Sequence, residues 1–424
     1  MMITGSAYDP DIIRCPWAFD AQLRRYAPVY HDQENDVYLV SGYELMTSVI
    51  QDTVNFSNRY MAKMVGKDPF PTEVMEIYAR GYPMVDALLV TDGAQHDRHR
   101  KIISKAFSRQ RMLELTPLFE QRVAQLFGQI MQRGQMRFRA DIAELVPMIM
   151  TQYQLRISED DMPRVIEWSR IMSSGFSGAG KSMERLKYEA EQVLLFQQYF
   201  EDRLRFEMAR IARTGEGERP DDLLTLLAHA LSDPDKPMTM AEAMSFLFVL
   251  LPATHDTTTG GMLACMHRFV AMPGVQQRAA EDPATIRALM DEAMRHEAPV
   301  RQFWRRAIND VTLAGVDIPA GSWVLLRVSA ANRDERVFDD PDRFDPERRM
   351  KRPYLTFGSG IHTCVGRPWA LHIIGIVLRY LAASGKVFTF TDGENDFDHE
   401  IGLLASPFVE LAISFHDRAE APLA

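Results

Sequence analysis

The stretch from Thr239 to Met272 constrains the fold more than any other part of the chain. Apolar residues recur there at three- and four-residue spacing, so it predicts one continuous helix. Some 32 residues at 1.5 Å each give roughly 50 Å, long enough to cross a whole domain. Thr239 and Glu242 form the T-x-x-E pattern that caps a helix start, and Pro273-Gly274 stops it. Pro252 lies inside. It has no N–H for the carbonyl four residues back, so it should bend the helix at that point. A helix this long needs a large core around it, and 424 residues with 46% apolar content can supply one.

The rest of the chain frames that helix. Val37–Val40 reads as an edge strand followed by a helix over Tyr43–Asp52. From about Arg98 to Leu231 the periodicity is helical, with a turn at Arg133-Gly134 and a polar loop over Arg213–Asp222. A second clear helix starts at Asp282-Pro283 and ends before Pro299. Strand signals follow at Val311–Leu313 and Trp323–Val328, then a charged, loop-rich stretch to Pro353 and a further helix from about Pro368. The fold class is therefore mainly α with small β-sheets, in one domain spanning residues 1–424. No run approaches 18 uninterrupted apolar residues, so no membrane anchor is expected.

Charge and cysteines narrow the function. The formal net charge is −10, which argues against general binding to nucleic acid or an anionic membrane. Cys15, Cys265 and Cys364 are too few and too scattered for a disulfide framework or a zinc site. A reducing compartment fits them, and the N-terminus has no apolar signal region, so the cytoplasm is the expected location.

The segment Phe357-Gly-Ser-Gly-Ile-His-Thr-Cys-Val-Gly366 carries the chemistry. It lies between a loop and a helix start, where unpaired backbone N–H groups can face one anionic atom. A thiolate at Cys364 would be that atom. Gly360 and Gly366 would permit turns and close approach to a flat cofactor. An inert buried cysteine in a Gly-rich turn is the simpler alternative. The pattern F-x-x-G-x-x-x-C-x-G, however, resembles the haem-ligand signature of the cytochrome P450 family. A chance match in this length is on the order of one in a thousand.

Three further passages resemble that family in order and spacing. Glu292 and Arg295 match its E-x-x-R, and Phe344-Asp-Pro-Glu-Arg348 its F-x-P-x-R. The resemblance implies a buried Glu292–Arg295–Arg348 network that fixes the loop before the cysteine. Ala253-Thr-His-Asp-Thr-Thr258 is similar to the oxygen-activation motif, with Thr257 as the hydroxyl beside oxygen and Asp256 as the proton source. Thr254 stands where the family usually has Gly; its bulk would narrow the oxygen groove or add a second hydroxyl.

The resemblance implies haem b bound through Cys364 as the iron ligand. Thiolate ligation pushes electron density to iron and favours O–O cleavage. By the same resemblance His96 and Arg100 face one haem propionate, Arg305 binds another, and Phe357, Gly358, His362 and Gly366 line the cofactor. Leu250, Ala253, Val300, Arg301, Phe303 and Leu404 fall at substrate-pocket positions, mostly apolar, implying a hydrophobic substrate such as a terpenoid, steroid, fatty acid or aromatic. Arg301 would either anchor a polar group of that substrate, help bind the propionates, or turn outward. The implied activity is monooxygenation with O2 and a separate acidic electron donor, a ferredoxin with its reductase or a flavin protein. A peroxide-driven peroxygenase and a haem sensor are the competing readings, and the Asp256–Thr257 pair favours the first. After the cysteine the match weakens: Trp369, Leu371 and Ile373 replace the usual residues, which leaves the packing of that helix open.

Overall fold

The computed structural model describes residues 3–61, 70–175, 181–214, 222–400 and 408–418. The expected pocket residue Leu404 and positions 215–221 of the Arg213–Asp222 loop lie outside the described residues. The chain forms two compact units. The first comprises Met1–Ser57, Thr116–Pro147 and Asp256–Ala424, and the second Asn58–Leu115 and Met148–His255.

The long helix runs over Met240–Ala271, with Pro252 inside it. Its start is a closed capping box: Thr239 N–H donates to Glu242 at 2.8 Å, and Glu242 N–H to Thr239 Oγ1 at 3.1 Å. Met272 leaves helical geometry with φ −126°, and Pro273 opens a new helix, Pro273–Glu281. Proline is favoured at a first helical position because the N–H it lacks would be unpaired there anyway.

The first unit holds the main sheet. Its strand order is Val29–Asp32, Val37–Val40, Trp323–Arg327, Gln302–Ala307 and Phe56–Ser57. Val37–Val40 is one strand in from the edge rather than at it, and all four of its residues are buried. It pairs parallel with Trp323–Arg327, which in turn pairs antiparallel with Gln302–Ala307. Val40, Met46, Val49, Ile50, Val324, Leu326, Phe338 and Leu355 pack into one core under this sheet. A second sheet joins Gln135–Arg137, Ala412–Asp417 and Lys386–Phe390. The helix Arg367–Ala383 buries Trp369, Leu371 and Ile373, so the changed residues after the cysteine still pack inward.

The second unit is helical. Gln154 ties its helices together, donating to the Ala106 carbonyl at 2.7 Å and accepting from Leu223 N–H at 3.2 Å. Arg156 bridges Asp222 and Glu207, and Glu207 is pulled down to a pKa of about 2, chiefly by its bond from Arg210.

Candidate active site

The cysteine loop is built by what precedes it. Glu292 and Arg295 lie three apart on the helix Ala284–His296, with side chains 1% and 0% exposed. Arg295 donates to Glu292 in a bidentate pair, at 2.8 Å and 2.7 Å. Arg348 Nε adds a third donor at 3.1 Å, and the Asp345 N–H a fourth at 2.9 Å. Two buried charges are tolerable only with their hydrogen bonds satisfied, and here Arg295 also donates to the carbonyls of Asn332 and Pro341. The expected three-residue network is present.

Asn332 links that network to the loop. Its Nδ2 donates to Thr356 Oγ1 at 2.9 Å, and its Oδ1 accepts from the Leu355 N–H at 2.7 Å. Thr356 Oγ1 donates to the Met294 carbonyl at 2.6 Å. Asn332 and Thr356 escaped the sequence reading; the only signal was a polar Asn-Arg-Asp run after an apolar strand.

Beyond Thr356 the chain turns sharply. Gly358 and Gly360 have φ +66° and +67°, a region that costs other residues, so these two positions call for glycine. Gly366 does not: it is the cap of the following helix with φ −79°, so the turn role expected for it belongs to Gly358. The Cys364 N–H donates to the Phe357 carbonyl at 2.9 Å, closing the loop. Cys364 itself is exposed, and Phe357 and His362 are partly so. Arg367 lies over the rings of both Tyr354 and Phe357, 5.5 Å from each centroid.

The strand Gln302–Ala307 faces this loop. Side chains alternate along a strand, so Phe303 and Arg305 share one face. Trp304 takes the other, its ring centroid 6.3 Å from that of Trp323. A Cβ on Gly358 would meet Phe303 at 4.0 Å, which places the Phe303 side beside the cysteine loop. Arg305 is 5% exposed, with Nη1 donating to the Trp304 carbonyl at 2.7 Å. An accessible thiol, an aromatic ring and a buried cation on one side fit a flat, anionic, iron-bearing cofactor.

On the long helix, Ala253, Thr254, Asp256 and Thr257 are partly accessible, while Leu250, His255, Thr258 and Thr259 are buried. Thr254 Oγ1 donates back to the carbonyls of Leu250 and Leu251, at 3.1 Å and 3.0 Å. It also lies 3.4 Å from Thr151 Oγ1, so this hydroxyl has partners in its own helix and on Thr151. His255 meets Ser169 Oγ at 3.1 Å, inside the second unit. His96 and Arg100 stand four apart on the helix Gly93–Ala106, with His96 buried and 3.2 Å from Asp97.

Arg301 is turned toward the N-terminal segment. It is 4% exposed, donates to the Ile13 carbonyl at 2.7 Å, and lies 5.2 Å from the Trp17 ring. It therefore does not turn outward. It is held by the N-terminal segment.

Comparisons with known proteins agree with this geometry. The sequence model of the family described as Cytochrome P450 matches residues 180–382. The chain is 28% identical over 373 residues to Cytochrome p450 CYP199A2 of Rhodopseudomonas palustris, covering 88% of this chain and 85% of that one. It is 29% identical over 381 residues to Cyclomarin C epoxidase CymV of Salinispora arenicola, covering 89% and 90%. Among solved structures, cytochrome P450 CYP109Q5 from Chondromyces apiculatus aligns with TM-score 0.81 at 25% identity, over 98% of this chain and 99% of that one. The Tepidiphilus thermophilus P450 heme domain aligns with TM-score 0.86 at 22% identity, over 99% and 98%. No helix among the described residues is long and apolar enough to cross a membrane. By sequence and by fold the chain is similar to the cytochrome P450s, a family whose enzymes are monooxygenases that use haem bound through a cysteine thiolate.

Proposed function

We propose that the chain inserts one atom of O2 into a small apolar substrate, with Cys364 as the thiolate ligand of haem iron. The observation that carries this reading is the exposed Cys364 on a loop anchored, through Thr356 and Asn332, to the buried Glu292–Arg295 pair. When bound, the haem supplies the oxygen-activating chemistry. The chain's own residues do the rest. Arg305 offers a buried cation to a propionate. Phe357, Gly358, His362 and Gly366 shape the ligand side. Asp256 carries a proton and Thr257 Oγ1 passes it on. Val300 and Phe303, both partly accessible, offer apolar surface to substrate. Residues 1–424 act as one catalytic domain. A solved heme domain of the same fold, matched over 98% of its length, supports that reading.

Electrons come from a separate acidic carrier, a ferredoxin with its reductase. A relative named as an epoxidase supports oxygen insertion as the reaction type. The Asp256–Thr257 pair favours O2 over peroxide as oxidant, since O2 takes up two protons from outside the site whereas hydrogen peroxide brings its own. The decisive experiment is the spectrum of the reduced protein with CO. Wild-type protein should show the red-shifted Soret band of thiolate ligation, and Cys364→Ala should lose it. Retention of that band in the variant would remove Cys364 from the iron.

A further inference from the structure

The first unit contains a buried cluster that the reaction above does not use. Glu297, 6% exposed, accepts from Arg268 at 2.5 Å and contacts His296 at 3.1 Å. Arg333 donates to the His296 carbonyl at 2.8 Å, to Asp342 at 3.1 Å, and stacks 3.6 Å from the Trp17 ring centroid. His399 lies 4.0 Å from the other Glu297 oxygen, and burial holds both it and His267 largely neutral, at about 3 and about 4. Arg301 stands among these groups with one nitrogen, Nη1, bonded to the Ile13 and Arg14 carbonyls.

Its other two nitrogens, Nε and Nη2, are buried and have no hydrogen-bond partner. They are the two whose N–H bonds run parallel, the fork that takes a carboxylate side-on. The nearby acids are spent elsewhere. Asp20 Oδ1 takes Arg327 and its Oδ2 takes Ser329, while Glu297 Oε1 takes Arg268. Of the guanidiniums Arg268, Arg301 and Arg333, Arg268 donates to Glu297 and Arg333 to Asp342, while Arg301 has, among the described residues, only the two backbone carbonyls at its Nη1. A buried ionised group left without acceptors is strongly disfavoured.

We propose that the Nε/Nη2 edge of Arg301 is a receptor for a carboxylate, whose two oxygens accept its two parallel N–H groups beside the Trp17 ring. The carboxylate is either the acid end of an otherwise apolar substrate or a small free carboxylate. The first source rests on the monooxygenase reading; the second does not.

The test uses haem-loaded wild-type protein with Arg301→Gln and Arg301→Lys. Acetate is compared with acetamide by thermal unfolding, and decanoate and phenylacetate with their methyl esters by titration of the haem absorbance. If the acids bind at least about tenfold more tightly than their esters, and Arg301→Gln erases the difference, the substrate carries the carboxylate. If acetate, and not acetamide, raises the unfolding temperature while acids and esters bind alike, a free carboxylate fills the site. If acetate does nothing and acids match their esters in the wild type, the edge is met by water and the proposal is overturned. That comparison needs no variant, so a folding defect in Arg301→Gln does not decide the matter. Failure of the CO spectrum would sink the monooxygenase reading and leave the acetate arm intact.

Discussion

Asn332 grips Thr356, donating from Nδ2 to its Oγ1 at 2.9 Å while its own backbone carbonyl accepts from Arg295 at 3.0 Å. The buried ion pair and the cysteine loop are therefore joined through one fully buried residue, by its backbone on one side and its side chain on the other. Asn332→Ala would leave the Leu355 N–H without its acceptor and Thr356 without a donor. It should cost about 2–3 kcal/mol of stability and lower haem retention. Denaturant unfolding and haem content per chain measure both, and a variant with unchanged haem content would break the proposed linkage.

Removing Glu292 should do more. Glu292→Ala strands Arg295 and Arg348 with no carboxylate, and breaking a buried pair from one side costs about 3–5 kcal/mol. The expected outcome is protein that accumulates without haem. Comparing soluble yield with the Soret-to-protein absorbance ratio separates this from a general failure to fold.

For the proton path, Thr257→Ala should keep haem and substrate affinity but release reducing equivalents as hydrogen peroxide. Asp256→Asn should slow turnover by about 100-fold or more, the usual range for losing a positioned acid. Peroxide yield per electron consumed, with single-turnover rates, checks both. Normal coupling in the two variants would remove these residues from the relay.

The electron donor should read the basic face of the helix Gly93–Ala106. Arg98 is paired with Glu242 at 2.5 Å, Arg111 with Glu114 at 3.3 Å, Lys351 with Asp339 at 2.9 Å, and Arg352 with Glu44 at 2.7 Å. Lys101 and Lys105 are exposed and four apart, on one face of the helix Gly93–Ala106. Reduction by an acidic carrier should slow as salt rises, and Lys101→Glu with Lys105→Glu should flatten that dependence. A stopped-flow salt series that is steep and identical in both proteins would place docking elsewhere.

Stability should fall on mild acidification. Burial lowers His99 and His267 to about 4 and His399 to about 3, from the ordinary 6.5. Between those values the unfolded chain binds the extra protons. Stability is therefore full above pH 6.5 and is lost as pH drops toward 4, by about 1.4 kcal/mol per pH unit for each histidine. Urea unfolding at pH 7 and pH 5 gives the slope, and His399→Phe should reduce it.

The sequence by itself determined the long helix and its capping box, the E-x-x-R pair with Arg348, and the loop that ends in Cys364. Each is a local pattern: periodicity, a cap, or residues at fixed spacing that serve one another. The strand over Gln302–Ala307 was not legible, because Gln302-Phe-Trp-Arg-Arg-Ala lacks clean alternation and becomes a strand only by pairing with Trp323–Arg327. Asn332 carried no motif, since its role depends on Arg295, Leu355 and Thr356 meeting from distant parts of the chain. Arg301 shows the same limit more sharply. Sequence put a cation four residues before Arg305, but only the folding of Ile13 and Trp17 against it decided which way the guanidinium points and which of its edges is left for a ligand.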